Sequence, residues 1–381
     1  MSDSNRIDLA YIEETTWGTT PSGSLTGVRL TGEGLKQETQ TTESEEIRED
    51  REIADIIRTS INAAGPINFE LSYGMLDDLI AGAMLSTWNT SVDTVSSVTD
   101  IDAASTDNSY NATSSDLSVF GVGEWIEVRG FTEAANNGYK KVVSAAAGKL
   151  VVEQSLTDES SGDSITIKEM ESIVNGTTLR SFTLQRDYND LSSEFARYVG
   201  CMIDQFSLNV ETDSIITGSM NIMGKNEESA SSTLGSVTAA PSNQVMNAID
   251  HVPTIEEATS AIEIINFGFQ FNNNLRTRPV VGQLGSNELG KGGISVTGTL
   301  RAYFQDSALF DKYLNFNETS LALVTEDASG NAYVWDIPAI KFTDGSRVAG
   351  GRNQDVVADL SFGVKRDAAD GNMIKIARVA G

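Results

Sequence analysis

The sequence has one cysteine, one histidine and six prolines in 381 residues, and the first two scarcities each close off a class of function. A single cysteine, Cys201, rules out an intramolecular disulfide framework, and its neighbours Val199, Met202 and Ile203 mark it as a small core residue rather than a nucleophile. His251 stands before Val252-Pro253 with no partner His or Cys, so neither a metal site nor an acid–base pair is expected around it. Basic residues are the scarcer charge: 27 Lys plus Arg face 54 Asp plus Glu, a net charge of −27. That balance argues against gripping a phosphate backbone and favours repelling one. No apolar run approaches the ~20 residues needed to span a bilayer. The opening MSDSNRIDLA lacks the basic start and apolar run of a secretion signal, so folding in a reducing cytoplasm is expected.

What the chain does have is Gly, Ser, Thr and Asn in quantity, with helix-forming Leu and Lys sparse, a composition that points to a mainly β fold. Its length predicts about two to three domains at ~150 residues each. Residues 1–27, with Tyr11, Trp17, Gly18 and Pro21, read as an extended arm that packs on something such as a neighbouring subunit, since two large aromatics in a free tail would be left in water. Glu38 to Asp55 holds eight acids against Arg48 and Arg51 and is too poor in apolar residues to build a core. It is expected to be a solvated loop, or a loop that orders only against a partner. Ile67, Phe69, Leu71 and Tyr73 alternate with polar residues as a half-buried strand, and Met75 to Met84 follows with helical spacing and Asp77 and Asp78 near its start.

Residues 90–171 change character: short strands separated by turns at Gly130, Asn136-Asn137-Gly138, Gly148 and Gly162 predict a small inserted all-β domain, with Trp125 and Phe131 in its core. Thr178 to Arg186 then alternates as a strand, and Arg197 to Lys225 holds two alternating strands around a short turn. Residues 226–261 are polar and breaker-rich, which suits a connector. From Ile262 the parts recur in order: a strand and polar loop, then a strand and helix (Gly293 to Leu314), then strands ending in a stretch at 340–366 that resembles 197–225. Setting Lys225 against Lys365 places Ile222 on Phe362, Met220 on Leu360 and Ile216 on Val356 without a gap. The chain is therefore expected to be one β-sandwich unit written twice, each with a flanking helix: 1–89 with 172–225, and 262–381.

No catalytic signature emerges. The acids crowd a flexible stretch rather than facing each other across a cleft, and no glycine cluster has the strand–loop–helix context or the Lys-Ser/Thr of a phosphate loop. The expectation is a non-enzyme without cofactor or metal. A secreted or surface β-sandwich adhesin would share the composition but would need an export route.

The segments IEETTWGTTP, LTGVRLTGEGLKQETQTTESEEIREDR, LSYGMLDDLIAGAM, VGEWIEVRGFTEAANNGYKKVVS and VGCMIDQFSLNV together resemble the tail tube, or major tail, proteins of long-tailed bacteriophages. That resemblance implies a virion protein, assembled in the host cytoplasm, whose rings stack into a hollow tube with an acidic lumen through which DNA passes. A tape measure protein and a tail terminator would be its partners, together with itself. A single-copy subunit of this kind forms a ring of six, so two copies per chain imply a homotrimeric, pseudo-sixfold ring, with a homohexamer as the alternative. On that reading the wet strand faces line the channel: Asn68, Glu70, Ser72, Gln205, Ser207, Asn209, Glu211, Ser219, Asn221, Asp359 and Ser361. Contacts to the next ring fall on Tyr11, Trp17, Glu43, Glu45, Glu46, Arg48, Glu49, Asp50 and Arg51, and the insert stands on the outside of the tube.

Overall fold

The computed structural model describes residues 3–381. Its centre is a wall of eight antiparallel strands. In chain order these are β1 (Lys36–Glu43), β2 (Ile56–Glu70), β3 (Phe195–Glu211), β4 (Thr217–Gly224), β5 (Ile264–Asn272), β6 (Ser295–Tyr303), β7 (Ala332–Ala349) and β8 (Val356–Val364). Across the wall they run β1-β2-β4-β3-β5-β6-β8-β7. Period-two patterning makes them strands with one covered face: Phe206, Leu208 and Val210 are buried while Ser207 and Asn209 between them are not, and Ala358, Leu360 and Phe362 repeat the pattern in β8. The register slips between Ile203 and Gln205 where β3 meets β4, and between Phe342 and Asp344 where β7 meets β8. Immediately before each slip Ile203 pairs with Ile222 and Phe342 with Phe362.

A second layer closes the sandwich. The strand Ile7–Glu14 pairs with Ser181–Tyr188, which pairs with the first part of β3; Thr254–Glu257 pairs with Glu318–Glu326, which pairs with the first part of β7. Between the layers the aromatic core is continuous, because the Phe206 ring lies 5.2 Å from Phe271 and 5.8 Å from Trp335. Helix α1 (Asp77–Met84) is buried almost throughout, whereas of α2 (Ala308–Leu314) only Phe310 is fully covered. Asp77 at the start of α1 accepts a hydrogen bond from the Tyr333 hydroxyl at 2.5 Å and pairs with Arg378, both from the later part of the chain. Burial pushes its carboxyl up, and Arg378 pulls it only part of the way back.

Strands between residues 94 and 169 form a separate seven-stranded sheet with its own core, including Ile101, Tyr110, Phe131 and Ile165. Phe131 lies in that core as expected, but Trp125 does not: with Tyr139 and Met170 it packs on Ala322, Val324, Val334 and Val379 of the later strands. The Trp125 indole N–H donates to Asp336 at 3.0 Å, and the buried Lys141 ammonium sits 3.0 Å from Asp336 and 2.6 Å from Asp370. The strand Lys375–Val379 then pairs with β7 on one side and with Glu171–Val174, at the exit of the insert, on the other.

Two sequence expectations give way here. The acidic stretch is half strand, since β1 runs to Glu43 and only the residues up to Asp55 form the hairpin turn. A strand exposed on both faces needs no core, only a backbone ladder, and its Thr and Gln residues supply that without any hydrophobic signal. The N-terminal arm is a strand folded into its own chain. Tyr11 is 4% exposed, donates to Asp78 at 3.1 Å and meets Phe182 edge-on; Trp17 donates to the Gly200 carbonyl at 3.0 Å beneath the Lys225 ammonium. Tyr11 is thus covered within the subunit, while Trp17 is half-buried there.

A Cβ at Gly218 would overlap the Phe69 ring on the adjacent strand, and one at Gly298 would overlap Phe362. Gly218→Ala and Gly298→Ala are each expected to cost about 1–3 kcal/mol, read as a lowered denaturant midpoint at unchanged m. Lys141→Met leaves the buried Asp336 and the part-buried Asp370 without their cation, for an expected loss of about 3–5 kcal/mol in the same measurement.

Candidate functional site

The wall has one face packed on the sandwich and one bare. Cross-strand pairing gathers the bare face into rows. One row passes through Asn68, Ser219, Ser207, Gln270 and Thr297; the next runs through Glu70, Thr217, Asn209, Gly268, Thr299 and Ser361. Side-chain amides link neighbouring strands: Asn221 donates to Gln205 at 2.8 Å, Gln205 to Gln270 at 2.7 Å, and Asn266 to Asn209 at 3.1 Å. The surface is therefore mostly amide and hydroxyl. Its carboxylates are Glu70, Glu211, Asp344 and Asp359, and the last is offset by Arg301 at 3.1 Å.

Ten of the eleven expected channel residues share this face: Asn68, Glu70, Gln205, Ser207, Asn209, Glu211, Ser219, Asn221, Asp359 and Ser361. Ser72 does not. β2 ends at Glu70, Ser72 forms an isolated bridge with Val245, and its side chain, 1% exposed, accepts a hydrogen bond from Arg29 at 3.2 Å. Once the strand ends, alternation no longer says where a side chain points. Gln270, Thr297, Thr299, Asn266 and Ser346 also join the face and were missed, although Asn266, Gly268 and Gln270 alternate with Phe267, Phe269 and Phe271 as clearly as any pair of strands here.

The acids gather elsewhere. The β1–β2 turn carries Glu43, Glu45, Glu46, Glu49, Asp50, Glu52 and Asp55, with Arg48 held by Asp50 and Arg51 beside them. Among these charges Ile47 is 99% exposed, and Ile53, Ile56 and Ile57 are more than half exposed. Strands Arg276–Pro279 and Ser286–Gly290 make a second hairpin between β5 and β6, its first strand and turn exposed with Arg276, Arg278 and Val281 while Leu289 is buried. A wall with free ends completes the surface: among the described residues, β1 pairs with a strand along one edge only, and so does the 344–349 part of β7.

The reactive side chains are placed structurally. Cys201 is buried, which pushes its thiol up, and His251 Nδ1 accepts the Asn247 backbone N–H at 3.1 Å. Among the described residues no group of three or more His, Cys, Asp or Glu side chains is arranged to hold a metal ion, and no helix is long and apolar enough to cross a membrane. Against this geometry, the family model described as phage tail tube protein matches residues 4–364. The chain belongs to the phage tail tube protein family. No curated protein sequence matches it. A tail tube protein is a structural component of the virion, and the family implies self-assembly into a tube together with other tail components. The mainly β architecture agrees with that membership.

Because the bare face is outside the core, Ser219→Asp, Asn221→Asp and Gln270→Glu in this tail tube protein are each expected to shift stability by no more than about 0.5 kcal/mol. Phe206→Ala, one residue from that face but pointing into the core, is expected to cost about 3–5 kcal/mol in the same denaturant titration.

Proposed function

We propose that this protein forms the rings of the hollow tail tube, with the bare polar face of its wall lining the DNA channel. The observation that carries the reading is an eight-strand wall covered on one face, uncovered and amide-rich on the other, with an unpaired edge at each end. A wall of this kind is completed by joining to its neighbours, which removes both edges.

Two copies of one unit make the wall: 1–89 with 172–225, then 262–381, joined by the 226–261 connector, with 90–171 inserted in the first. The matched register slips and the repeated order of strands support this. The register also bears on ring size. Thr217 shares its row with Ser361, whose counterpart in the first copy is Asn221, so each four-strand unit advances the row by about four residues. Three walls, ~24 strands in all, then close with a strand tilt of about 35° and a backbone diameter of about 45 Å, using ~3.3 Å per residue and ~4.8 Å between strands. That passes a duplex about 20 Å wide with side chains in place; a ring of six would be twice as wide, so the homotrimer is favoured over the homohexamer.

Neutral amides and hydroxyls with a few carboxylates give DNA a weakly acidic wall to slide along, and the arginine on it, Arg301, is held by Asp359. The hairpin tips at Glu43, Glu45, Glu46, Arg48, Glu49, Asp50 and Arg51 meet the next ring, the insert stands on the outside, and the tail is the non-contractile, siphophage kind. Assembly in the host cytoplasm with a tape measure protein and a tail terminator completes the reading.

Negative-stain microscopy of the purified chain is expected to show rings or tubes, and native mass measurement a unit of three chains. Thr39→Pro or Ala349→Pro, which blunts a free edge, is expected to leave a folded monomer that no longer closes rings. A wild-type chain that stays monomeric under every assembly condition, or edge prolines that leave tubes intact, would overturn the proposal.

A further inference from the structure

In the first half of the chain, the place where β2 ends and β4 begins is filled by a strand-like wedge. Leu71 N–H donates to the Ile216 carbonyl at 2.9 Å, and Met246 inserts beside them: its N–H donates to the Leu71 carbonyl and its carbonyl accepts from Ile216 N–H. Val245 and Asn247 extend the wedge as isolated bridges to Ser72 and Ile215. Leu71, Ile216 and Met246 are all fully buried.

The second half has the same place without the wedge. Phe304 N–H donates to the Val356 carbonyl at 2.9 Å, repeating the Leu71–Ile216 bond, yet no described residue bridges that pair. Val356 is 37% exposed where Ile216 is 0%, and Phe304 is only half-buried. Beside them lies a groove of about 500 Å³ bounded by Ile262, Ala302, Phe304, Leu309 and Phe310.

The sequence names an occupant. The wedge leads through Asn247-Ala248-Ile249-Asp250 to Ile255-Glu256-Glu257 in an outer strand of the second half. The chain's start carries Asn5-Arg6-Ile7-Asp8, followed by Ile12-Glu13-Glu14 in the equivalent outer strand of the first half. The connector thus lies in one half's slot and runs on into the outer strand of the next half. A segment preceding Ile7 stands in the same relation to the outer strand of the first half, and the half before it in a ring belongs to another subunit. In the single chain Ser4–Arg6 forms one short turn, with the Arg6 carbonyl accepting from Asn189.

We propose that the slot between Phe304 and Val356 receives the segment before Ile7 of a second copy of this chain, bridged as Val245–Asn247 is bridged in the first half. This rests on the ring-forming function proposed above. The partner is specified by backbone pairing, a short strand added to an open edge. Equivalence places Asn5 of one chain opposite Asp355 of its neighbour, and Asp3 opposite Gln305.

Directly opposed residues lie close enough for a disulfide, about 4.5–5.5 Å between Cα atoms, so the pairing can be trapped. Assembled tubes of Asn5→Cys/Asp355→Cys, mildly oxidised, are expected to give covalently linked chains on a non-reducing gel, while either single variant gives none. Ile215→Cys/Asn247→Cys should close within one chain and serves as the control. Asp3→Cys/Gln305→Cys probes the adjacent rung independently, should the first pair impair assembly. Tubes in which both test pairs remain unlinked while the control closes would overturn the proposal and leave the tube intact as a reading; so would closure within a single chain. Absence of tubes from the wild-type protein would count against the ring-forming function itself.

Discussion

The structure depends on the pairing of β3 with β5, the one place among the described residues where the two parts of the wall are hydrogen-bonded edge to edge. Backbone bonds fix the register there, and the side chains on the covered face exploit it: Phe206 from β3 stacks on Phe271 from β5 and on Trp335 behind them. A stacked pair contributes about 0.5–1.5 kcal/mol beyond the area it buries, so this cluster holds the seam as firmly as a domain interior. On the opposite face the same seam carries the Gln205–Gln270 and Asn209–Asn266 amide bonds. One junction therefore sets the continuity of the core and the continuity of the polar surface together.

Charge is distributed against that background rather than spread over it. The interior handles its charges in closed groups, as with Lys141 between Asp336 and Asp370 or Arg186 beside Glu33. A dense acidic cluster sits on the β1–β2 hairpin tip, which also exposes isoleucines. Exposed isoleucines ringed by like charge resist collapse onto another molecule at random while remaining available to a surface of complementary shape and sign. The wall's bare face, in contrast, is close to neutral, so long-range repulsion and local smoothness come from different parts of the molecule.

Much of this was legible in the sequence where burial is one-sided. Phe206, Leu208 and Val210, Met220 and Ile222, and the helix beginning near Asp77 announce themselves through periodicity, and the insert through its turn spacing. β1 was not legible, because a strand solvated on both faces has no hydrophobic period to display. The cover over Tyr11 and Trp17 was not legible either: an exposed aromatic and one packed on Phe182 or under Lys225 look alike until distant residues are brought together. Ser72 marks the limit of the alternation rule, which fails two residues after the ladder ends. The repeated Asn-x-Ile-Asp and Ile-Glu-Glu at the chain's start and in the connector was present all along, but only the filled and open slots give it meaning.

The inserted sheet leaves the chain between α1 and Ser181 yet rests its weight on strands near the C-terminus, and Lys375–Val379 is laced between β7 and Glu171–Val174. Two halves tied at the wall, at Asp77 and again through this outer brace cannot fold about their shared seam like a book. Three separated attachment points define a rigid body, so any twist or bend passing along an assembly of such subunits has to be taken up between molecules, with each one moving as a single block.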